Sequence, residues 1–155
     1  MLVGISPLIG PHLLSTLYRM GHGDEIVFAD SFFPAETFGR EVVRKDGIRI
    51  PDLLDAVLPL FALDTYVESP VTMMAPVPGD QLDPDVEAAY RAVVDRHAPQ
   101  TAPFARIDRF QFYERAGNAF AVVVTGETVK YGNVILTKGI TPSTKTSEKG
   151  EEPMA

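Results

Sequence analysis

Met20-Gly21-His22-Gly23-Asp24-Glu25-Ile26-Val27-Phe28-Ala29-Asp30 is the stretch on which the reading of the fold turns. Gly21 is a natural stop for a helix arriving from upstream, because a residue without Cβ readily takes the left-handed backbone that closes a helix. Ile26 to Ala29 is a short apolar run bounded by polar residues, the pattern of a buried strand. Asp30 falls at the carboxyl end of that strand. In open α/β sheets, strand ends of this kind are where ligands collect.

Upstream, Gly10-Pro11 starts the helix, with Pro11 at a position where its missing N–H costs nothing. Leu13, Leu14, Leu17 and Met20 then recur at helical spacing. Downstream, Val42-Val43 reads as a brief extended segment before a turn at Asp46-Gly47. Pro51 opens a second helix, with an apolar stripe of Leu54, Val57, Leu58 and Phe61 that Pro59 disrupts or ends. Residues 65 to 77 read as extended and irregular among several prolines. Asp83-Pro84, a cap followed by proline, starts a third helix carrying Val86, Tyr90, Val93 and Val94. Arg109 to Ala116 is expected as a short helix stopped by Gly117, Ala119 to Thr125 as an apolar strand, and Val134 to Leu136 as the last strand. Helices alternating with short buried strands argue for an α/β sheet covered on both faces. From Pro142 on, Ser, Thr, Lys and Glu dominate, so residues 143–155 are expected to form a disordered tail behind one domain, residues 1–142.

Composition narrows the partners. The 155 residues suit one domain with its own core, and 45% hydrophobic with 23% charged residues is ordinary for a globular protein. The net charge of −7 repels phosphate backbones and anionic lipid, so neither nucleic acid nor a membrane surface is expected as a partner. There are no cysteines, which removes disulfides, thiolate metal sites and cysteine nucleophiles, and suits a reducing cytoplasm. No apolar run approaches the roughly 20 residues of a membrane span, and the segment Met1 to Pro7 lacks a charged n-region followed by an apolar block. The expected address is the cytosol.

Titratable candidates are few. Of His12, His22 and His97, no two stand at a metal-ligand spacing such as i, i+4, so no metal site is expected. His12 and His97 fall in helices among polar neighbours and read as exposed. His22 lies between two glycines, which let a ligand approach the chain closely, though an unused loop histidine carries the same pattern. Asp30 reads either as a ligand-facing carboxylate or as a turn aspartate capping local N–H groups. Arg109 offers a fork of hydrogen bonds for hydroxyls or a carboxylate, or a surface ion pair. Tyr131-Gly132-Asn133 sets a phenol, a bare backbone and an amide in succession, able to bind several hydroxyls or simply to turn. No GxGxxG, GxxxxGK[ST] or GxSxG sequence occurs, so acid/base groups and hydrogen-bond donors are the chemistry on offer.

The segments Met20 to Val27, Arg109-Phe110-Gln111-Phe112-Tyr113-Glu114-Arg115-Ala116, and Thr125-Gly126-Glu127 through Tyr131-Gly132-Asn133 closely resemble the family of L-fucose mutarotases and D-ribose pyranases. Ile5-Ser6-Pro7-Leu8, Arg44-Lys45-Asp46-Gly47, Pro59-Leu60-Phe61 with Leu63-Asp64, and Lys138-Gly139 match as well. The resemblance runs from about Leu2 to Pro142, and the Phe-Tyr-Glu-Arg-Ala and Tyr-Gly-Asn forms favour the fucose branch. It implies a three-layer α/β/α sandwich with a mixed sheet, a ring-shaped homo-oligomer such as a decamer, and active sites near subunit contacts. It further implies His22 as the catalytic residue, with Asp30, Arg109, Tyr131, Gly132 and Asn133 binding the sugar. Phe32 departs from relatives that carry a histidine there.

The activity so implied is exchange of the α and β anomers of L-fucose or a similar aldose, with no cofactor. Exchange needs a proton on the ring oxygen and another off the anomeric hydroxyl, and a histidine titrating near neutrality serves both directions. Tyr131 is a conceivable second relay, though a phenol with an ordinary pKa near 10 is poorly matched to neutral pH. Two other readings are a D-ribose pyranase and a monosaccharide-binding protein without activity.

Overall fold

The computed structural model describes residues 1–142, so the expected tail 143–155 lies outside the described residues. Six strands form one sheet: β1 (Glu25–Ala29), β2 (Val42–Lys45), β3 (Val71–Met74), β4 (Ala105–Ile107), β5 (Ala121–Thr125) and β6 (Val134–Thr137). Their order is β2-β5-β1-β6-β3-β4. β5 runs parallel to both β1 and β2, and β3 runs parallel to β4. β6 is antiparallel to β1 and β3, so it alone opposes the rest and makes the sheet mixed.

Side chains alternate across a strand, and here both sets are buried. Ile26 and Phe28 of β1 join Val71, Met73, Val123 and Leu136 in one core layer. That layer packs against α1 (Pro11–Arg19), α3 (Ile50–Val57) and α4 (Pro84–His97) through Leu13, Leu17, Leu53, Tyr90 and Val94. Val27 and Ala29 point the other way, with Val122, Val124 and Ile135, onto α2 (Ala35–Phe38) and α5 (Arg109–Asn118) through Ala35, Phe112 and Ala116. The result is the three-layer α/β/α sandwich, in a single domain. Phe28, Ile26 and Leu136 are wholly buried, and each side chain of this size contributes roughly 1.5–3 kcal/mol.

Several local expectations are corrected. α1 ends at Arg19 with Met20 as an extended cap, and Gly21 is not left-handed. The helix end is closed instead by Lys138, whose Nζ donates to the carbonyls of Leu17 (2.9 Å) and Met20 (2.7 Å). Residues 65 to 77 are not irregular throughout, because they contain β3, buried along its whole length. A strand buried on both faces has no alternating pattern to betray it. β4 was not foreseen; it is a three-residue, half-buried edge strand. α2 is a single turn that the sequence did not announce. α5 passes through Gly117 to Asn118, since a backbone position inside a helix tolerates glycine at modest cost. The break at Pro59 is real: α3 stops at Val57 and a 3-10 turn, Leu58–Leu60, follows.

Candidate functional site

Because β1, β3 and β4 all point the same way, their carboxyl ends meet on one edge of the sheet, beside the start of β6. β1 delivers Asp30, β3 leads into Val77, β4 leads into Arg109, and Asn133 stands just before β6. Between them opens a cleft of about 290 Å³, lined by Asp30, Phe32, Met74, Arg109, Tyr131 and Asn133 among others. That volume lies near the lower end of small-molecule sites, about 300–1,000 Å³.

Asp30 is 8% exposed, and among the described residues no cationic side chain pairs with it. Burial pushes its carboxyl above the ordinary value, against the pull of the Phe32 and Phe33 N–H groups and of Asn133, while the nearby Glu127 charge adds to the rise. The Phe32 N–H donates to Asp30 Oδ1 (2.9 Å), and the Asp30 N–H donates to Asn133 Oδ1 (2.7 Å). The carboxylate thus keeps acceptor capacity for a ligand in the cleft, and the Asn133 amide is turned by the strand end it caps.

Gly132 is required by crowding. A Cβ there would stand 2.8 Å from Val129 Cγ2, 3.0 Å from the Val129 carbonyl and 3.1 Å from the Tyr90 hydroxyl. Its carbonyl accepts the Tyr90 hydroxyl at 2.7 Å, and burial pushes that phenol far above its ordinary range. Tyr131 adopts φ 58°, a left-handed conformation uncommon outside glycine. Its hydroxyl donates to Asp80 Oδ2 (2.7 Å) and accepts the Val77 N–H (3.1 Å). Lys130 Nζ lies 2.6 Å from the same Asp80 oxygen. Lys130 first, then Tyr131, hold the Asp80 carboxyl down to about 2.

Arg109 is the first residue of α5, whose start is fixed by a capping box between Asp108 and Gln111. Its guanidinium lies 4.9 Å from the Phe110 ring centroid, and among the described residues no carboxylate pairs with it. A guanidinium fork that is exposed on a cleft wall has donors to spare.

His22 lies elsewhere. Its loop precedes β1, at the amino end of the strand, so roughly 16 Å of β1 separates it from Asp30. The loop is held by Gly21 N–H donating to Asp24 Oδ2 (2.7 Å) and by Gly23 N–H donating to the Lys138 carbonyl (2.8 Å). His22 Nε2 is 3.0 Å from Asp64 Oδ1, which also accepts the Tyr66 N–H at 3.1 Å. Burial alone would raise the Asp64 carboxyl; the Tyr66 N–H and then the His22 ring outweigh it and hold it below the ordinary carboxylate value. An ionised Asp64 can only accept, so Nε2 is the nitrogen that donates to it, and in a neutral ring the lone pair is then on Nδ1. The His22 side chain is 44% exposed, and its ring packs 5.4 Å from that of Tyr66. A buried carboxylate thus orients a half-exposed imidazole.

The structure therefore brings Asp30, Arg109, Tyr131, Gly132 and Asn133 together and leaves His22 on the opposite edge of the same chain. His12 pairs with Glu41 and His97 with Asp55. Among the described residues no group of three His, Asp or Glu side chains is arranged to hold a metal. A roomier groove, about 430 Å³, runs past Asp64 and His97, but both are already paired, with His22 and Asp55. We place the site by spare hydrogen-bonding capacity and not by size. Sequence reasoning gave Asp64, Asp80 and Tyr90 no role. Leu63-Asp64 stood among the matching segments and was the one available signal for Asp64.

A family model described as the RbsD / FucU transport protein family matches residues 3–141. Among solved structures, the chain is similar to the fucose mutarotase of Streptococcus pneumoniae in complex with L-fucose. Identity is 43% over 91% of this chain and 100% of that one, with a TM-score of 0.83. FucU from Bifidobacterium longum is also 43% identical, over 89% of this chain and 99% of that one, with a TM-score of 0.85. RbsD of Bacillus subtilis complexed with D-ribose is 21% identical, over 86% and 95%, with a TM-score of 0.67, a likeness of fold alone.

Proposed function

This chain belongs to the RbsD / FucU transport protein family, and from that premise we propose that it is a cofactor-free mutarotase exchanging the α and β anomers of L-fucose. The observation that carries the reading is the Asp30 cleft, where a buried carboxylate, an unpaired guanidinium and the Tyr131-Gly132-Asn133 loop converge. These groups suit the hydroxyls of one monosaccharide.

The chemistry needs only protons. One proton is placed on the ring oxygen, one leaves the anomeric hydroxyl, and the bond from the anomeric carbon to the ring oxygen breaks to give the open aldehyde. Rotation about the adjacent carbon–carbon bond and the reverse transfers close the ring on its other face. His22 performs the transfers through Nδ1, with Asp64 orienting the ring. Asp30, Arg109, Asn133 and the Tyr131-Gly132 backbone hold the remaining hydroxyls and retain the open chain.

His22 meets this cleft only if a second copy supplies it. Exposed apolar residues flank both edges: Tyr66 and Val67 beside His22, Phe32 and Phe110 beside Asp30 and Arg109. Unlike patches at opposite edges favour a head-to-tail contact, which closes into a ring when the rotation permits. We propose such a ring, with the decamer implied by the resemblance as its size. We also propose a cytoplasmic address, supported by the absence of cysteine.

Saturation-transfer NMR on L-fucose, D-ribose and D-galactose, with and without protein, tests the activity. The wild type is expected to add exchange between fucose anomers, and His22→Ala to lose on the order of 10² to 10⁴ of that added rate. Exchange confined to ribose ring forms would make it a pyranase, and fucose uptake without added exchange a binding protein.

A further inference from the structure

β6 ends where β1 begins, because the two strands are antiparallel and Thr137 stands opposite Glu25. The chain leaving β6 at Lys138 runs between the His22 loop and the segment that carries Asp64. On one side, the Lys138 N–H donates to the Asp24 carbonyl at 2.9 Å, and the Lys138 carbonyl accepts the Gly23 N–H at 2.8 Å. On the other side, Lys138 forms an antiparallel bridge with Leu63. There the Asp64 N–H donates to the Thr137 carbonyl at 3.0 Å, and the Gly139 N–H to the Ala62 carbonyl at 2.7 Å. Gly139 lets backbone lie directly on backbone. A Cβ at that position would stand 2.7 Å from the Leu63 carbonyl oxygen and 2.8 Å from Asp64 Cα.

The Lys138 ammonium adds a third attachment, through its bonds to the Leu17 and Met20 carbonyls. Carbonyls at a helix end lack a partner inside the helix, and Met20 is the cap of α1, two residues before His22. We propose that Lys138 is a positioning residue for the His22–Asp64 pair. Its main chain sets the distance between the two segments, and its ammonium fixes the helix end that feeds the His22 loop. The imidazole and the carboxylate come from positions 42 residues apart, yet they meet at 3.0 Å. Such a contact is only as exact as the strand to which both segments are tied. A misplacement of about 1 Å at a reacting group can cost on the order of a hundredfold in rate. The inference rests on His22 being the proton-transfer residue of the proposed mutarotase.

The test is exchange NMR across a titration of L-fucose, with wild type, Lys138→Met, Gly139→Ala, His22→Ala and the double variant His22→Ala/Lys138→Met. Lys138→Met keeps the apolar stem and removes the donors, so its limiting rate should fall about tenfold to a hundredfold. The half-saturation concentration should stay at the wild-type value, because the Asp30 cleft lies at the far end of β1. Gly139→Ala pushes on the Asp64 segment from the other side and should lose limiting rate in the same way. The double variant should be no slower than His22→Ala, since a positioning residue acts only through the group it positions. A wild-type limiting rate in either single variant, a loss confined to half-saturation, or a further loss in the double variant would overturn the assignment. Should the variants fail to fold, amide hydrogen exchange of the wild type decides. Gly23 and Asp64 donate to adjacent residues of one strand, so their amides should be protected alike. Protection of one without the other sinks the proposal. Wild type without any added fucose exchange instead removes the mutarotase reading itself, a separate result.

Discussion

A carboxylate buried without a cation costs stability, and Asp30 accepts that cost at the mouth of a cleft. Its folded-state pKa is raised above the ordinary 3.8, first of all by burial. Between those two values the folded protein binds more protons than the unfolded chain, so stability falls as pH rises through that window. At neutral pH the full deficit is present. Asp30→Asn keeps an oxygen for the Phe32 N–H and removes the charge. Its melting temperature at pH 7 is therefore expected to equal or exceed that of wild type, with the gain shrinking towards pH 4. Added fucose exchange should vanish in the same variant. A lower melting temperature at pH 7 would mean that the charge is satisfied by something other than a ligand. The same logic explains the legibility of this residue: a carboxylate directly after four apolar residues is visible in the sequence, but its isolation from any cation is not.

At the scale of elements, α5 is the piece that connects the cleft to the rest of the sheet. Its first turn presents Arg109, and its last turn is pinned by Arg115, which pairs with Glu25 of β1 and donates to Thr72 of β3 (3.3 Å). Thr137 of β6 also donates to Glu25 (3.4 Å), so one ion pair ties a helix to three neighbouring strands. Both partners are largely shielded, at 33% and 23% side-chain exposure, which sets this pair apart from an ordinary surface bridge. Arg115→Leu should cost about 1–3 kcal/mol, the range for hydrogen bonds to a charged group, read as a lower urea midpoint at unchanged slope. A loss under half a kilocalorie would show the pair to be dispensable. The helix itself was expected from the sequence over Arg109 to Ala116, while its Asp108-Gln111 capping box is seen in the structure. Its true end was not, because Gly117 is tolerated where the packing of Phe112 and Ala116 holds the turn.

At the scale of the whole molecule, the separation of His22 from Asp30 has a direct consequence. If each site takes its imidazole from one copy and its carboxylate from the next, two dead variants can rescue each other. His22→Ala and Asp30→Asn should each be inactive alone. Co-assembled in equal amounts they should regain about a quarter of wild-type exchange, since a randomly mixed head-to-tail contact joins the two intact halves one time in four. No recovery in a verified mixed oligomer would end the shared-site arrangement.

The sequence by itself determined which segments become helix or strand wherever the signal is local: Pro11 and Pro84 at helix starts, and the apolar runs of β1 and β5. It also determined which chemistry is on offer, through the few histidines, the absent cysteines and the carboxylate of Asp30 directly after an apolar run. Only the tertiary structure decided which of those groups meet. Lys138 closes α1, Asp64 orients His22, Asp80 holds Tyr131, and His22 and Asp30 face opposite ways. Each of these depends on strand order and on the reversed direction of β6. Those are set by burying both faces of one sheet at once, a condition that no short window of residues contains.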